Sequence, residues 1–233
     1  MSFLRSALFM AWFILLTAVM GIVFLPLLAL PRKFTVAMAR HWAAATLWGL
    51  KIFSGIDMRV MGTAPKGGVL VASKHMSMWD TLALYLVLDD PGIVLKRELL
   101  RIPFYGWYLA KAAAIAIDRG AGAEALRRMT HAATSVLAEG RPILIFPEGT
   151  RKKPGAAPDY KPGVAGLYAI LKVACVPVAL DSGRYWQGFT KRPGTIHLEF
   201  LEVIPPGMKR GEFMSALETR IETATAALLR SAP

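Results

Sequence analysis

His75 and Asp80 stand five residues apart, just past the apolar run GVLVAS. On a continuous helix that separation turns two side chains about 140° apart. They can meet only if His75 lies in a turn and Asp80 in the first turn of a following helix. A strand ending at Ala72 and a helix starting near Met78 supply that arrangement. Open α/β sheets place ligands at the carboxyl ends of their strands. Asp80 would then accept a hydrogen bond from one ring nitrogen, and the other could take a proton from a hydroxyl. Taken alone, the pair also fits a helix-start aspartate beside an incidental surface histidine, and by itself it favours that plainer reading.

A second group follows the run ILIF as FPEGTR, Phe146–Arg151. Pro147 ends the strand and Gly149 permits an unusual backbone. Glu148 and Arg151 are thereby expected at the strand's carboxyl edge, both facing a ligand. Arg151 offers a planar fork suited to phosphate, and Lys152, Lys153 and Lys161 add positive field. A solvated turn with a Glu–Arg pair fits equally well. Lys96–Gly106 (KRELLRIPFYG) and Ile117–Arg119 (IDR) also follow apolar runs and bring Lys96, Arg97, Arg101 and Arg119 toward the same edge. For Lys96 and Arg101 the competing reading is a solvated basic turn. Pro177, between Val176 and Val178, implies an edge strand or an unpaired amide and suits the wall of an acyl-chain site. Cys175 beside it reads as a small buried hydrophobe. The histidines His41, His75, His131 and His197 are scattered, and no H-E-x-x-H, C-x-x-C, G-x-S-x-G, Walker A or G-x-G-x-x-G pattern occurs.

The elements that must position these groups are short. Apolar runs predict strands near Met58–Met61, Val69–Ala72, Ile93–Leu95, Ala114–Ile117, Ile143–Phe146, Val176–Leu180 and Thr195–Ile204. Helical spacing predicts helices over Trp79–Leu88, Pro103–Lys111, Ala123–Ala138, Gly163–Lys172 and Glu212–Leu229. Continuous apolar strands suit a sheet covered on both faces. The expected fold is therefore α/β, with a single mixed, mostly parallel sheet of about seven strands flanked by helices. Arg151–Gly163, rich in Pro, Gly and Lys, is expected to be a long mobile loop.

Apolar residues make up 55% of the 233-residue chain, charged residues 19%, and the net charge is +12. Mean hydropathy is +0.42. These values exclude a disordered chain and a disulfide-rich scaffold, and the single cysteine suits a reducing compartment. Nucleic-acid binding explains the charge but not the apolarity. A polytopic membrane protein would show several spans. An enzyme resting on anionic lipid explains both. The apolar excess is concentrated at Ser6–Pro31, which carries no charged residue and is flanked by Arg5, Arg32 and Lys33. A helix of that length would reach about 39 Å, against a bilayer core of about 30 Å. No small-x-small cleavage site precedes Arg32. After Pro26 and Pro31, residues Phe34–Phe53 mix Trp42 and Trp48 with Arg40 and Lys51, a composition for a headgroup-level helix. Residues 1–55 thus read as membrane-anchoring helices, either a span plus an interfacial helix or a hairpin dipped into one leaflet. Residues 56–233 read as the α/β domain.

In combination and in order, these motifs resemble the glycerolipid acyltransferases, and most closely the lysophosphatidic acid (1-acyl-sn-glycerol-3-phosphate) acyltransferase branch. His75 and Asp80 match the H-x-x-x-x-D pair. Lys96, Glu98, Leu99, Pro103 and Gly106 match K-x-E-L…P-x-x-G. Asp118 and Arg119 match the block whose arginine contacts acceptor phosphate. Phe146–Arg151 matches the acceptor-binding F-P-E-G-T-R, and Pro177 the proline motif. Lys74, Met76 and Ala116 depart from the usual Asn, Gln and aromatic residue. The resemblance implies catalysis by His75 and Asp80. It also implies acceptor binding by Arg119, Glu148, Gly149, Thr150 and Arg151, with support from Lys96, Glu98, Lys161 and Pro177. The implied reaction moves an acyl group from acyl carrier protein or coenzyme A to a lysolipid. It needs neither metal nor redox cofactor and no nucleic acid. The implied setting is the cytoplasmic side of a bacterial inner membrane. Another lysolipid acceptor, such as lyso-ornithine lipid, fits the same motifs. A non-catalytic membrane adaptor is opposed by the intact pair and the intact FPEGTR.

Overall fold

The structure, a computed structural model, describes residues 2–118 and 122–231. Two long helices come first, α1 (Ser2–Val23) and α2 (Arg32–Ser54), joined by a 3-10 turn at Leu25–Ala29. Pro26 starts that turn and Pro31 caps α2, so the prolines set the reversal. Gly55, at φ +68°, ends α2 in a left-handed cap that a residue with a Cβ would resist. There follow β1 (Ile56–Met61), β2 (Leu70–Ser73), α3 (Met78–Val87), β3 (Gly92–Lys96), α4 (Tyr105–Lys111), β4 (Ile115–Ile117), α5 (Gly122–Ala138), β5 (Ile143–Ile145) and α6 (Gly163–Leu171). The chain closes with β6 (Cys175–Leu180), β7 (Trp186–Gln187), β8 (Thr190–Lys191), β9 (Gly194–Phe200) and α7 (Arg210–Ser231).

Seven strands form one sheet in the order β1-β9-β6-β2-β5-β3-β4. Among the described residues, β6 and β9 pair antiparallel and the other neighbours pair parallel. The mixed, mostly parallel sheet is the one expected. Alternate side chains of its strands feed two cores. Leu70, Ala72, Ile143 and Ile145 pack under α5, α6 and α7, with Met129, Ala133, Phe213, Leu217 and Ile221. Val71, Leu144 and Val178 pack on the other face with Trp79 of α3, Phe9 of α1 and Leu50 of α2. Helices on both faces explain why β2, β5 and β6 are buried along their whole length.

Three expectations change. The sequence reading did not anticipate the small β7–β8 hairpin. Pro177 lies on an interior strand, not an edge. Its missing N–H falls where the β6–β9 ladder breaks, between Val178 opposite Phe200 and the bridge from Cys175 to Ile204. The unpaired-amide alternative therefore holds. The loop after Arg151 lacks regular structure until α6, yet it is pinned. Lys152 N–H donates to the His75 carbonyl (2.9 Å) and Lys161 N–H to the Pro147 carbonyl (2.9 Å).

The helix pair shares its core with the sheet. Phe9 is fully buried and meets Trp186 edge to face at 5.4 Å. Ser6 Oγ accepts the Lys191 N–H (2.9 Å), and the Gly21 carbonyl accepts the Tyr108 hydroxyl (3.0 Å). α1 is thus fastened to the α/β domain near both ends. Its far side, with Ile14, Leu15 and Ile22, is exposed. Among the described residues α1 is the helix long and apolar enough to cross a membrane by length and composition.

Candidate active site

The carboxyl ends of β2, β5, β3 and β4 line one edge of the sheet because these strands run parallel. Past the end of β2 the chain alternates. Lys74 turns inward and is 2% exposed, whereas His75 stays at the edge with 12% of its side chain exposed. Ser77 then caps α3, and Asp80 is the third residue of that helix. Asp80 closes a capping box with Ser77. The cap places a carboxylate where the imidazole can reach it. Oδ2 of Asp80 lies 2.9 Å from His75 Nδ1 and accepts the N–H groups of Met76 (2.6 Å) and Ser77 (2.9 Å). Oδ1 is bonded to the Ser77 hydroxyl (3.1 Å) and to that of Ser182. Asp80 is fully buried. A carboxylate already accepting from two amides calls for a proton on Nδ1, which leaves Nε2 as the lone-pair nitrogen.

The plane of the same ring stacks on Phe146, with centroids 3.9 Å apart and planes at 22°. H-x-x-x-x-D and FPEGTR therefore meet by direct contact, because β2 and β5 are neighbours. Gly149 adopts φ +65° and its N–H returns to the Phe146 carbonyl (2.9 Å), turning the loop so that Thr150 and Arg151 are exposed. Burial pushes the Tyr105 phenol upward, and the positive charge of Arg151 opposes it.

Glu148 is a correction. The expected exposure does not hold: its side chain is 1% exposed, with Oε1 3.0 Å from Lys74 Nζ. Burial holds its carboxyl above the usual range, and the Lys74 ammonium opposes that shift. Lys74 also reaches Glu222 Oε1 at 2.7 Å, and the Tyr160 hydroxyl donates to the same oxygen (2.9 Å). Sequence reading missed Glu222, Tyr160 and Ser182. Glu222 and Ser182 lie far along the chain from the residues they join, Tyr160 sits in the loop after FPEGTR, and no local pattern marks any of them. Lys96 and Glu98 are exposed at the end of β3, two strands from β2, and are not joined to the His75–Asp80 pair. Lys161 is held by both oxygens of Asp159 at 2.7 Å. Pro177 is buried opposite Ala72 on the strand beside β2. Arg119 lies outside the described residues. No group of three or more His, Cys, Asp or Glu suited to a metal ion occurs among the described residues.

A doubly covered sheet with a buried Asp orienting an edge His is a scaffold for proton transfer from a bound hydroxyl. The acyltransferase family model matches residues 56–181, more than half of the chain, and the chain belongs to that family. It is 35% identical over 175 residues to the 1-acyl-sn-glycerol-3-phosphate acyltransferase of Pseudomonas aeruginosa, a match covering 73% of this chain and 66% of that one. The chain thus spans just under two thirds of that curated relative's length. It is 26% identical over 207 residues to the lyso-ornithine lipid O-acyltransferase of the same organism, covering 80% and 78%. Its fold matches the crystal structure of the 1-acyl-sn-glycerophosphate (LPA) acyltransferase PlsC from Thermotoga maritima with a TM-score of 0.81, at 20% identity over the whole of both chains.

Proposed function

We propose that the protein moves a fatty acyl group from an acyl thioester, on acyl carrier protein or coenzyme A, to the sn-2 hydroxyl of lysophosphatidic acid, giving phosphatidic acid. The observation that carries this reading is the 2.9 Å contact between His75 Nδ1 and buried Asp80, with the same ring stacked on Phe146 of FPEGTR. His75 Nε2 takes the hydroxyl proton as the lysolipid oxygen attacks the thioester carbonyl. The C–S bond then breaks, and the thiolate leaves with the proton returned from the imidazolium. The thioester is already activated, so no enzyme nucleophile, metal or redox cofactor enters. Arg151 holds the acceptor phosphate, and Arg119 joins it by motif. Thr150 lies beside Arg151 in that role. Glu148 contributes by holding the loop from within, not by touching the acceptor.

The bilayer supplies the acceptor. α1 is fastened to the domain near both ends, which favours a helix pair lying in one leaflet over a span standing across it. The exposed side chains Ile14, Leu15, Ile22, Trp48 and Ile52 would enter the lipid. Bacterial relatives and the charge of +12 favour the anionic cytoplasmic face of the inner membrane, with the site on that side.

Acyl transfer to lysophosphatidic acid in mixed vesicles, with each thioester, tests this. His75→Ala should lower kcat by about 10²–10⁴-fold, and Arg151→Ala should raise the acceptor KM. A wild-type protein inactive on this acceptor with both donors would discard the assignment. A second reading, lyso-ornithine lipid as acceptor, is favoured by the match covering 80% of this chain and 78% of that relative. Under it the Arg151→Ala defect should be small, because that acceptor carries no phosphate monoester.

A further inference from the structure

Beneath the His75–Asp80 pair lies a second polar cluster that the mechanism does not use. The Lys74 ammonium is 2% exposed and bridges Glu148 Oε1 at 3.0 Å and Glu222 Oε1 at 2.7 Å. A buried ammonium persists only when it is paired. Glu222 Oε1 is itself fixed by a second donor, the Tyr160 hydroxyl. Glu148 Oε2, in contrast, is buried without a hydrogen-bond partner among the described residues. Each member stands close to a site residue. Lys74 precedes His75. Glu148 is two residues after Phe146 and three before Arg151. Tyr160 belongs to the loop that Arg151 opens. Glu222 alone arrives from elsewhere. It sits on α7, whose Phe213, Leu217 and Ile221 anchor that helix in the core. It also lies beyond residues 56–181, the part matched to the family.

We propose that Glu222 is a positioning residue of the acyltransferase site: through the Lys74 ammonium it fixes Glu148, and with it the register of Phe146 against His75. Two loops that meet by one stacked pair of rings and by the Lys152 N–H to His75 carbonyl bond are thereby tied again from below, and the tie is held by the C-terminal helix. The inference rests on the acyl-transfer reading for its kinetics and on geometry alone for its second readout.

Two substitutions separate placement from charge while keeping a polar group at position 222. Glu222→Gln keeps an oxygen at the same reach, able to accept from Lys74 and Tyr160. Glu222→Asp keeps the charge but withdraws it by one methylene. With lysophosphatidic acid and a thioester donor, Glu222→Asp should lower kcat per folded molecule by about tenfold to a hundredfold, because small misplacements at a reacting centre are that costly. Its KM for the donor should not change. Glu222→Gln should stay within about threefold of wild type. Wild-type kcat in both variants would reduce the cluster to a purely structural role and overturn the proposal. So would a Glu222→Gln defect larger than that of Glu222→Asp, which would make charge rather than placement the cause. The rate at which diethyl pyrocarbonate modifies His75, read by mass spectrometry, needs no turnover. It should change in Glu222→Asp and not in Glu222→Gln. If wild type proves inactive, the functional reading falls, and this rate alone decides the positioning role. Equal rates in all three proteins would end it.

Discussion

Oδ2 of Asp80 accepts from two backbone amides and the imidazole, while Oδ1 meets the hydroxyls of Ser77 and Ser182. The same carboxylate therefore orients His75 and folds the turn that carries it. Asp80→Asn should reveal both roles. An amide nitrogen placed among these donors leaves at least one unpaired, at about 1–3 kcal/mol. It also disfavours the Nδ1–H tautomer, so kcat should fall by about 10²–10⁴-fold. Melting and turnover measured on one preparation check this, and an unchanged melting temperature would mean that the turn does not need the carboxylate. That His75 and Asp80 could meet was legible because the geometry is local, strand, turn and capped helix, but the expectation of catalysis came from the order of the motifs around them. Glu148 was misjudged because its place at a strand end suggested exposure. Its burial is decided by Lys74, whose side chain meets it from 74 residues away. Glu222 was invisible for the same reason. On α7 it looks like one more solvated charge beside an apolar stripe.

Elements were more legible than residues. Six of the seven sheet strands begin and end close to their expected runs, while β9 stops at Phe200, short of the expected Ile204; β2, β5 and β6 were the clearest, since burial on both faces writes itself as continuous hydrophobicity. The β7–β8 hairpin was not legible. Its two-residue strands are too short to show alternation. Yet it grips α1, through Phe9 on Trp186 and through Lys191. The Lys191 ammonium is 2% exposed, lies 4.7 Å from the Trp186 ring centroid and donates to the carbonyls of Gly188 and Phe189. Burial lowers its pKa to about 8. A lysine depressed when folded binds fewer protons there than when unfolded, so its penalty is full below pH 8 and fades toward its ordinary value of 10.5. Wild type should therefore gain stability relative to Lys191→Met by up to about 2 kcal/mol between pH 8 and pH 10. Thermal melts of both proteins in one detergent across that range test the sign, and parallel curves would refute it.

For the whole molecule, an apolar composition with a charge of +12 finds its explanation in a helix pair that shares one core with the sheet and turns its other face outward. The sequence located that segment, but its two membrane arrangements could be weighed only once Ser6 and Gly21 were seen bonded to the domain. Ile14 and Ile22 are each 60% exposed, so Ile14→Asp and Ile22→Asp should leave melting unchanged. Each should weaken binding to phosphatidylglycerol vesicles by about tenfold, the value of one withdrawn aliphatic side chain. Sedimentation with vesicles measures this, and undiminished binding would move the lipid contact elsewhere. The shared core also sets an order of events during synthesis. Phe9 emerges early, and its partner Trp186 lies 177 residues further on. At about 5–20 residues per second the helix waits on the order of 10–40 s for that partner. Under the proposed function, a nascent apolar helix left that long would take shelter in lipid. Under the same reading, the sheet would then be completed against a helix already seated, and the bilayer would serve as a template before it serves as a source of substrate.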